Sequence, residues 1–106
     1  MTTTLIALEV TGRTESTAGA VLSGELDIHT TAHVEPDLVD LIGTGAREIV
    51  LDLSALTFCD SSGIDLFVKM HRRAGEAGSR LRLTRVPALI GHSFHVLGAD
   101  RVVALK

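Results

Sequence analysis

The residues best suited to chemistry are two serines that follow an aspartate, in the segment DSSG at residues 60–63. A strand and its exit loop are predicted before this segment and a helix after it. The serines therefore lie where the first N–H groups of a helix have no partner and where its dipole is positive. A phosphate is accommodated at such a place. Ser61 is thus a candidate phosphoryl acceptor, and the modification would add about −1.5 to −2 charges beside Asp60. The same spacing also fits a plain helix cap by Asp60 or Ser61.

Two enzyme classes use residues of these types, and neither pattern is complete. A serine hydrolase needs a nucleophile oriented by histidine and an acid. Ser61 or Ser62 and five histidines are available, but the loop does not read G-x-S-x-G, and 106 residues leave little chain for a substrate pocket. A phosphoaspartate receiver built on Asp60 needs an acidic pair after the first strand and a late lysine. The first predicted strand ends without acids, and Lys106 is the last residue. We therefore expect a protein that is not an enzyme.

The histidines form two pairs at helical spacing, His29 with His33 and His92 with His95. Two imidazoles without a neighbouring cysteine or acid make a weak metal site, so solvated histidines and no metal or other cofactor are predicted. Cys59 follows an aromatic residue and is predicted to be a buried thiol rather than a nucleophile.

Hydrophobic periodicity predicts the elements that must position these residues, five strands and three helices. The strands are expected at residues 5–10, 19–22, 48–53, 81–84 and 101–105, with a helix after the second, third and fourth strand. Their alternation predicts an α/β fold with a mostly parallel, four- to five-stranded sheet.

Two details of this prediction bear on the site. Pro36 fits the first turn of a helix but not its middle, so the first helix should start near Glu35 or bend early. Residues 54–61 are predicted to form a loop that leads into a regular helix over residues 63–74. In open α/β sheets, function gathers at the loops that follow the carboxyl ends of strands. The segments at 24–27 and 58–63 are two such loops, and they open on one edge if their strands are neighbours.

Composition excludes several classes of function. A chain of 106 residues that is 45% hydrophobic and 22% charged can form one packed domain, expected to span residues 1–106. A net charge of −3 and the lack of Trp and Tyr disfavour nucleic-acid and anionic-membrane binding. Neither a membrane span nor a signal peptide is predicted. One cysteine excludes an internal disulfide and suggests a reducing compartment, so the cytoplasm is expected.

Three segments together resemble the STAS family, and more closely the stand-alone anti-sigma-factor antagonists of bacteria. They are GELD at residues 24–27, IVLDLS at 49–54 and LTFCDSSGI at 56–64. The predicted order of strands and helices agrees with that family along nearly the whole chain. The DSSG block carries most of this resemblance, since GELD alone is a weak signal.

The resemblance implies a STAS fold and a set of roles. The family's phosphorylated serine matches Ser61, preceded by Asp60 and followed by Ser62 and Gly63 at the helix entry, and its neighbouring-loop acid matches Asp27. Family members bind an anti-sigma factor that is also a Ser/Thr kinase, and this binding frees sigma factor. Phosphorylation releases the antagonist, and a PP2C-type phosphatase resets it. Asp27, Asp60, Ser62 and Gly63 are therefore expected to form the partner-binding surface around Ser61. No direct nucleic-acid or membrane partner is expected, and both a monomer and a homodimer fit the sequence.

Asp65 and Pro36 depart from the family pattern, and one alternative role remains. Many relatives have a small residue where Asp65 stands, and a carboxylate there suits the helix dipole while adding negative charge beside Ser61. Other small family members are accessory subunits of phospholipid-transport ATPases or parts of stress-signalling assemblies. The intact DSSG block favours the phosphorylation switch.

Overall fold

The computed structural model describes residues 6–105, which form an α/β arrangement of six strands and three α-helices. In chain order the elements are β1 (Ile6–Arg13), β2 (Thr17–Leu26), α1 (Thr31–Ile42), β3 (Glu48–Asp52), β4 (Leu56–Cys59), α2 (Ser61–Glu76), β5 (Arg80–Thr84), α3 (Ala88–Val96), a 3₁₀ turn (Ala99–Arg101) and β6 (Ala104–Leu105).

The sheet is mostly parallel, with strand order β1-β2-β3-β5-β6. Only β1 runs antiparallel to its neighbour, as the first arm of a hairpin with β2. The long strand β2 has two parallel partners, because residues 17–21 pair with β3 and residues 24–26 pair with β4. Strands β3 and β4 therefore lie end to end along β2, and β4 extends the sheet towards the start of α2. The predicted α/β fold with a mostly parallel sheet is confirmed, with six strands in place of the predicted four to five.

One face of the sheet carries the core. Alternate side chains of β2, β3 and β5 are buried, and the side chains between them are half-buried or exposed. The buried strand residues pack with the apolar faces of the helices in one cluster. Phe67 of α2 and Phe94 of α3 are fully buried in it, with ring centroids 5.7 Å apart. This contact fixes α3 beside α2, next to the site described below.

Four sequence-based boundaries are corrected. The predicted loop over residues 54–61 contains β4, because its backbone pairs with the far end of β2. The segment at 24–27 is strand up to Leu26, so the exit loop starts at Asp27 and not at Gly24. Helix α1 starts at Thr31, not near Glu35, and Pro36 lies in its second turn. The last predicted strand is reduced to Ala104–Leu105 by the 3₁₀ turn.

Residue 5 of the first predicted strand and Lys106 lie outside the described residues. Over residues 6–105, no helix combines the length and the apolar character needed to cross a bilayer.

Candidate functional site

The two loops that the sequence singled out open on the same edge of the sheet. Leu26 at the end of β2 is paired with Cys59 at the end of β4, and the Asp60 N–H donates to the Leu26 carbonyl at 3.1 Å. Asp27 and Asp60 are therefore the first residues beyond a pair of neighbouring parallel strands. The structure thus brings Asp27 close to the start of α2, as the predicted site requires.

At the start of α2, one residue caps the helix and the next is exposed. Asp60 is the N-cap, and its Oδ1 accepts a hydrogen bond from the Gly63 N–H at 3.1 Å. Ser61 is the first residue of the helix and is exposed, while Ser62 is half-buried. Because Asp60 provides the cap, the Ser61 hydroxyl is not needed for it. The hydroxyl therefore stands at the positive end of α2, where a phosphate would be accommodated.

Gly63 lets the helix approach the strand ends closely. It is buried, and a Cβ at this position would lie 2.6 Å from Cys59 Sγ and 2.9 Å from Leu26 Cδ2. A side chain would therefore push α2 away from β2 and β4. Gly63 contributes to the predicted surface through this packing, which sets the position of Ser61, and not through exposed atoms of its own.

Asp27 is held in a turn that keeps its carboxylate ionised. Its Oδ1 accepts from the backbone N–H groups of His29 at 2.8 Å and Thr30 at 3.0 Å. The hydrogen bond from the Thr30 N–H, followed by that from His29, lowers the pKa of Asp27 below its ordinary value of 3.8. The buried Thr30 locks the turn, since its hydroxyl donates to the Glu25 carbonyl at 2.8 Å and accepts from the Asp27 N–H at 2.9 Å. No role in the site was predicted for Thr30 from the sequence.

Cys59 is a structural residue, as predicted. Its side chain is buried, and burial followed by the charge of Asp60 raises the pKa of the thiol to about 12. The reactive thiolate is therefore scarce at neutral pH.

An open groove of about 420 Å³ runs from the start of α2 to α3. Ser61 and Asp60 lie on one side of it and residues of α3 on the other. The residues that define it include Asp60, Ser61, Ile64, His92, Val96 and Leu97. Val96 and Leu97 are 66% and 55% exposed, and Phe58 on β4 is 48% exposed, so apolar surface lies on the groove and on β4. Sequence reasoning missed the contribution of α3, although apolar residues outside its core-facing positions were a signal for it.

The two histidine pairs do not build a metal centre. His95 Nδ1 lies 2.9 Å from Asp100 Oδ2, which ties the end of α3 to the 3₁₀ turn. Within residues 6–105, no three His, Cys, Asp or Glu side chains come together as metal ligands would. Asp65 is exposed at the fifth residue of α2, beyond the first turn in which it was expected, and adds negative charge near Ser61.

The chain is similar to a protein family, to a bacterial relative and to several solved structures. The family described as "Mlab, STAS domain" matches residues 10–105. The anti-sigma-B factor antagonist of Staphylococcus aureus is 30% identical over 77 residues, which cover 73% of this chain and 71% of that protein.

Solved structures are similar over nearly the whole chain. An anti-sigma factor antagonist from Mycobacterium paratuberculosis gives a TM-score of 0.83 at 21% identity, covering 95% of this chain and 85% of that one. The anti-sigma factor antagonist SpoIIAA in its unphosphorylated form gives 0.76 at 23% identity, covering 94% and 88%. The Bacillus cell fate determinant SpoIIAA in its phosphorylated form gives 0.69 at 24% identity, covering 94% and 91%. At these identities the structural likeness establishes the fold.

Proposed function

The chain belongs to the STAS domain family, and from this we propose that it is an anti-sigma-factor antagonist and not an enzyme. Its partner is an anti-sigma factor with Ser/Thr kinase activity, and both act in the cytoplasm. The observation that carries the proposal is the exposed Ser61 at the first position of α2, with capping already provided by Asp60. The names of the S. aureus relative and of SpoIIAA support the role.

The unphosphorylated protein binds through the surface around Ser61. Asp27 and Asp60 supply fixed acidic groups at the edge of the sheet, and Ser62 lies beside them at the helix start. The apolar side chains of Phe58 and α3 provide area that a partner can cover. The neutral Ser61 hydroxyl can be covered with a small desolvation penalty, so binding sequesters the anti-sigma factor and frees sigma factor.

Phosphorylation replaces that hydroxyl with a dianion. In the kinase step, the Ser61 Oγ forms a bond to the γ-phosphorus of ATP, and the bond from that phosphorus to the β–γ bridging oxygen breaks. ADP leaves, and the hydroxyl proton passes to a base of the kinase. A PP2C-type phosphatase reverses the change by hydrolysis, which returns the hydroxyl and releases inorganic phosphate.

The change in binding free energy that the proposed switch requires is modest. Changing a complex from mostly bound to mostly free needs roughly 3–5 kcal/mol of differential binding. A phosphate that adds about two negative charges beside Asp60, next to apolar surface, can supply this through repulsion and desolvation. The fold does not have to change, because Ser61 is exposed and carries no cap bond.

The test combines phosphosite mapping with binding. We expect incubation with the anti-sigma factor and Mg·ATP to add one phosphate, located at Ser61 by peptide mapping. The Ser61→Ala variant should stay bound in the presence of ATP, and Ser61→Asp should bind at least ~100-fold more weakly. Ser62→Ala is the matched control and should still be switched by ATP. Equal binding of Ser61→Ala and Ser61→Asp, or a phosphate at another residue, would overturn the proposal, as would a transport ATPase as the co-purified partner.

A further inference from the structure

The groove beside Ser61 contains an ionisable residue that the proposed switch does not yet use. His92, in the middle of α3, is exposed and lines the same groove as Ser61. Phe94, two residues after His92, packs against Phe67 of α2 and fixes the position of α3. The imidazole can still rotate about its two side-chain bonds, because it lies at the surface.

The ionisable residues that line this groove differ in the charge that each can carry. Among the described residues that line it, the ionisable ones are Cys59, Asp60 and His92. Cys59 is neutral because its pKa is about 12, and Asp60 is acidic. His92 is thus the lining residue that can become a cation. His95, on the same helix, is already paired with Asp100.

We propose that His92 is the internal counter-charge of a phosphate on Ser61. Once Ser61 is phosphorylated, the imidazolium of His92 donates a charge-assisted hydrogen bond to a phosphate oxygen across the groove. This inference rests on the proposed function, since it takes Ser61 as the phosphoacceptor.

The carboxylates near Ser61 and the His92 imidazolium act in opposite directions on the charge of the phosphate. Asp60 in the groove, together with Asp27 beyond β2 and Asp65 on α2, favours the singly charged phosphate over the dianion. The start of α2 and the His92 imidazolium favour the dianion. A protonated His92 therefore favours the doubly charged phosphate and holds it against this protein. Both effects favour the released form over the complex.

A phosphorus titration tests the contact directly. Phosphoserine is incorporated at position 61 during synthesis, so no kinase is needed, and the ³¹P resonance is followed as a function of pH. Compared with the otherwise unchanged protein, His92→Gln should raise the titration midpoint of the phosphate by roughly half a pH unit or more. His95→Gln is the matched control on the same helix and should leave the midpoint unchanged. An unchanged midpoint in His92→Gln, or an equal rise in both variants, would overturn the proposal.

A second measurement needs no histidine variant. The ring resonances of His92 should shift between the serine and phosphoserine forms, and those of His95 should not; a constant His92 signal would also overturn the proposal. A kinase that ignores Ser61 would refute the proposed function and leave these titrations unaffected, so the two failures are distinguishable.

Discussion

The proposed phosphorylation of Ser61 would not need to disturb the fold, because its neighbours hold the helix start in place. Asp60 satisfies the Gly63 N–H, and Gly63 allows close contact with Cys59 and Leu26. The DSSG motif could be recognised from the sequence, but this division of roles could not. It depends on how closely α2 approaches the ends of β2 and β4, which is a property of tertiary packing.

Gly63→Ala should destabilise the protein. The new Cβ would meet Cys59 Sγ at 2.6 Å, so the free energy of unfolding should fall by about 1–3 kcal/mol, as in other overpacked cores. Gly75→Ala, in the same helix with nothing within 4 Å of its Cβ, should gain up to about 1 kcal/mol from helix propensity. Urea unfolding of both variants measures this, and equal effects would contradict the packing role of Gly63.

Asp27 should stabilise the fold in a pH-dependent way. Its folded-state pKa lies below 3.8, so its contribution is present above that value and lost as the pH falls through the folded-state pKa. Asp27→Ala should lower the urea midpoint at neutral pH, and the difference from the unmodified protein should shrink as the pH falls below 3.8. Asp27→Asn keeps an acceptor oxygen for the turn and should be milder. A midpoint difference that does not change with pH would contradict this account.

Among the helices and strands, those whose buried residues recur at regular intervals were predicted correctly. Strand β3 alternates strictly between buried and half-buried residues, and α2 presents one apolar face. Strand β4 was missed because its four residues do not alternate, with Thr57 and Phe58 both exposed. Its strand conformation comes from pairing with β2, which no local pattern reveals. The groove was missed for a similar reason, since α3 reaches it through the contact between Phe94 and Phe67.

The prediction that α1 starts near Glu35 was wrong, because its start is set by the Asp27–Thr30 turn and not by Pro36. A proline in the second turn lacks the N–H that would bond the Ala32 carbonyl, and its ring crowds that carbonyl. Pro36→Ala should therefore raise the free energy of unfolding by about 1–3 kcal/mol. Asp37→Ala, at the next exposed position, should gain only about 0.5 kcal/mol from helix propensity. A loss of stability in Pro36→Ala would mean that the fold requires proline at this point.

For the whole molecule, the core links the start of α2 to every part of the sheet. The buried cluster includes residues of all elements from β1 to α3 and of the 3₁₀ turn, with Leu105 of β6 packed against it. Ile64 connects this core to the groove, since it is 2% exposed and also lines the groove. The surface around Ser61 is therefore attached to a single core, which suits the proposed switch, because that switch acts by charge rather than by rearrangement.

A single core predicts that the chain unfolds as one cooperative unit. Calorimetry should show one transition with equal calorimetric and van't Hoff enthalpies, of about 0.7 kcal/mol per residue near 60 °C. Ile64→Ala should lower the stability by about 2–5 kcal/mol and shift the entire transition, because no part of the core is independent of α2. Ser61→Asp should leave the midpoint nearly unchanged, since the side chain is exposed. Two resolved transitions, or an Ile64→Ala effect confined to part of the signal, would show that the chain is not one domain.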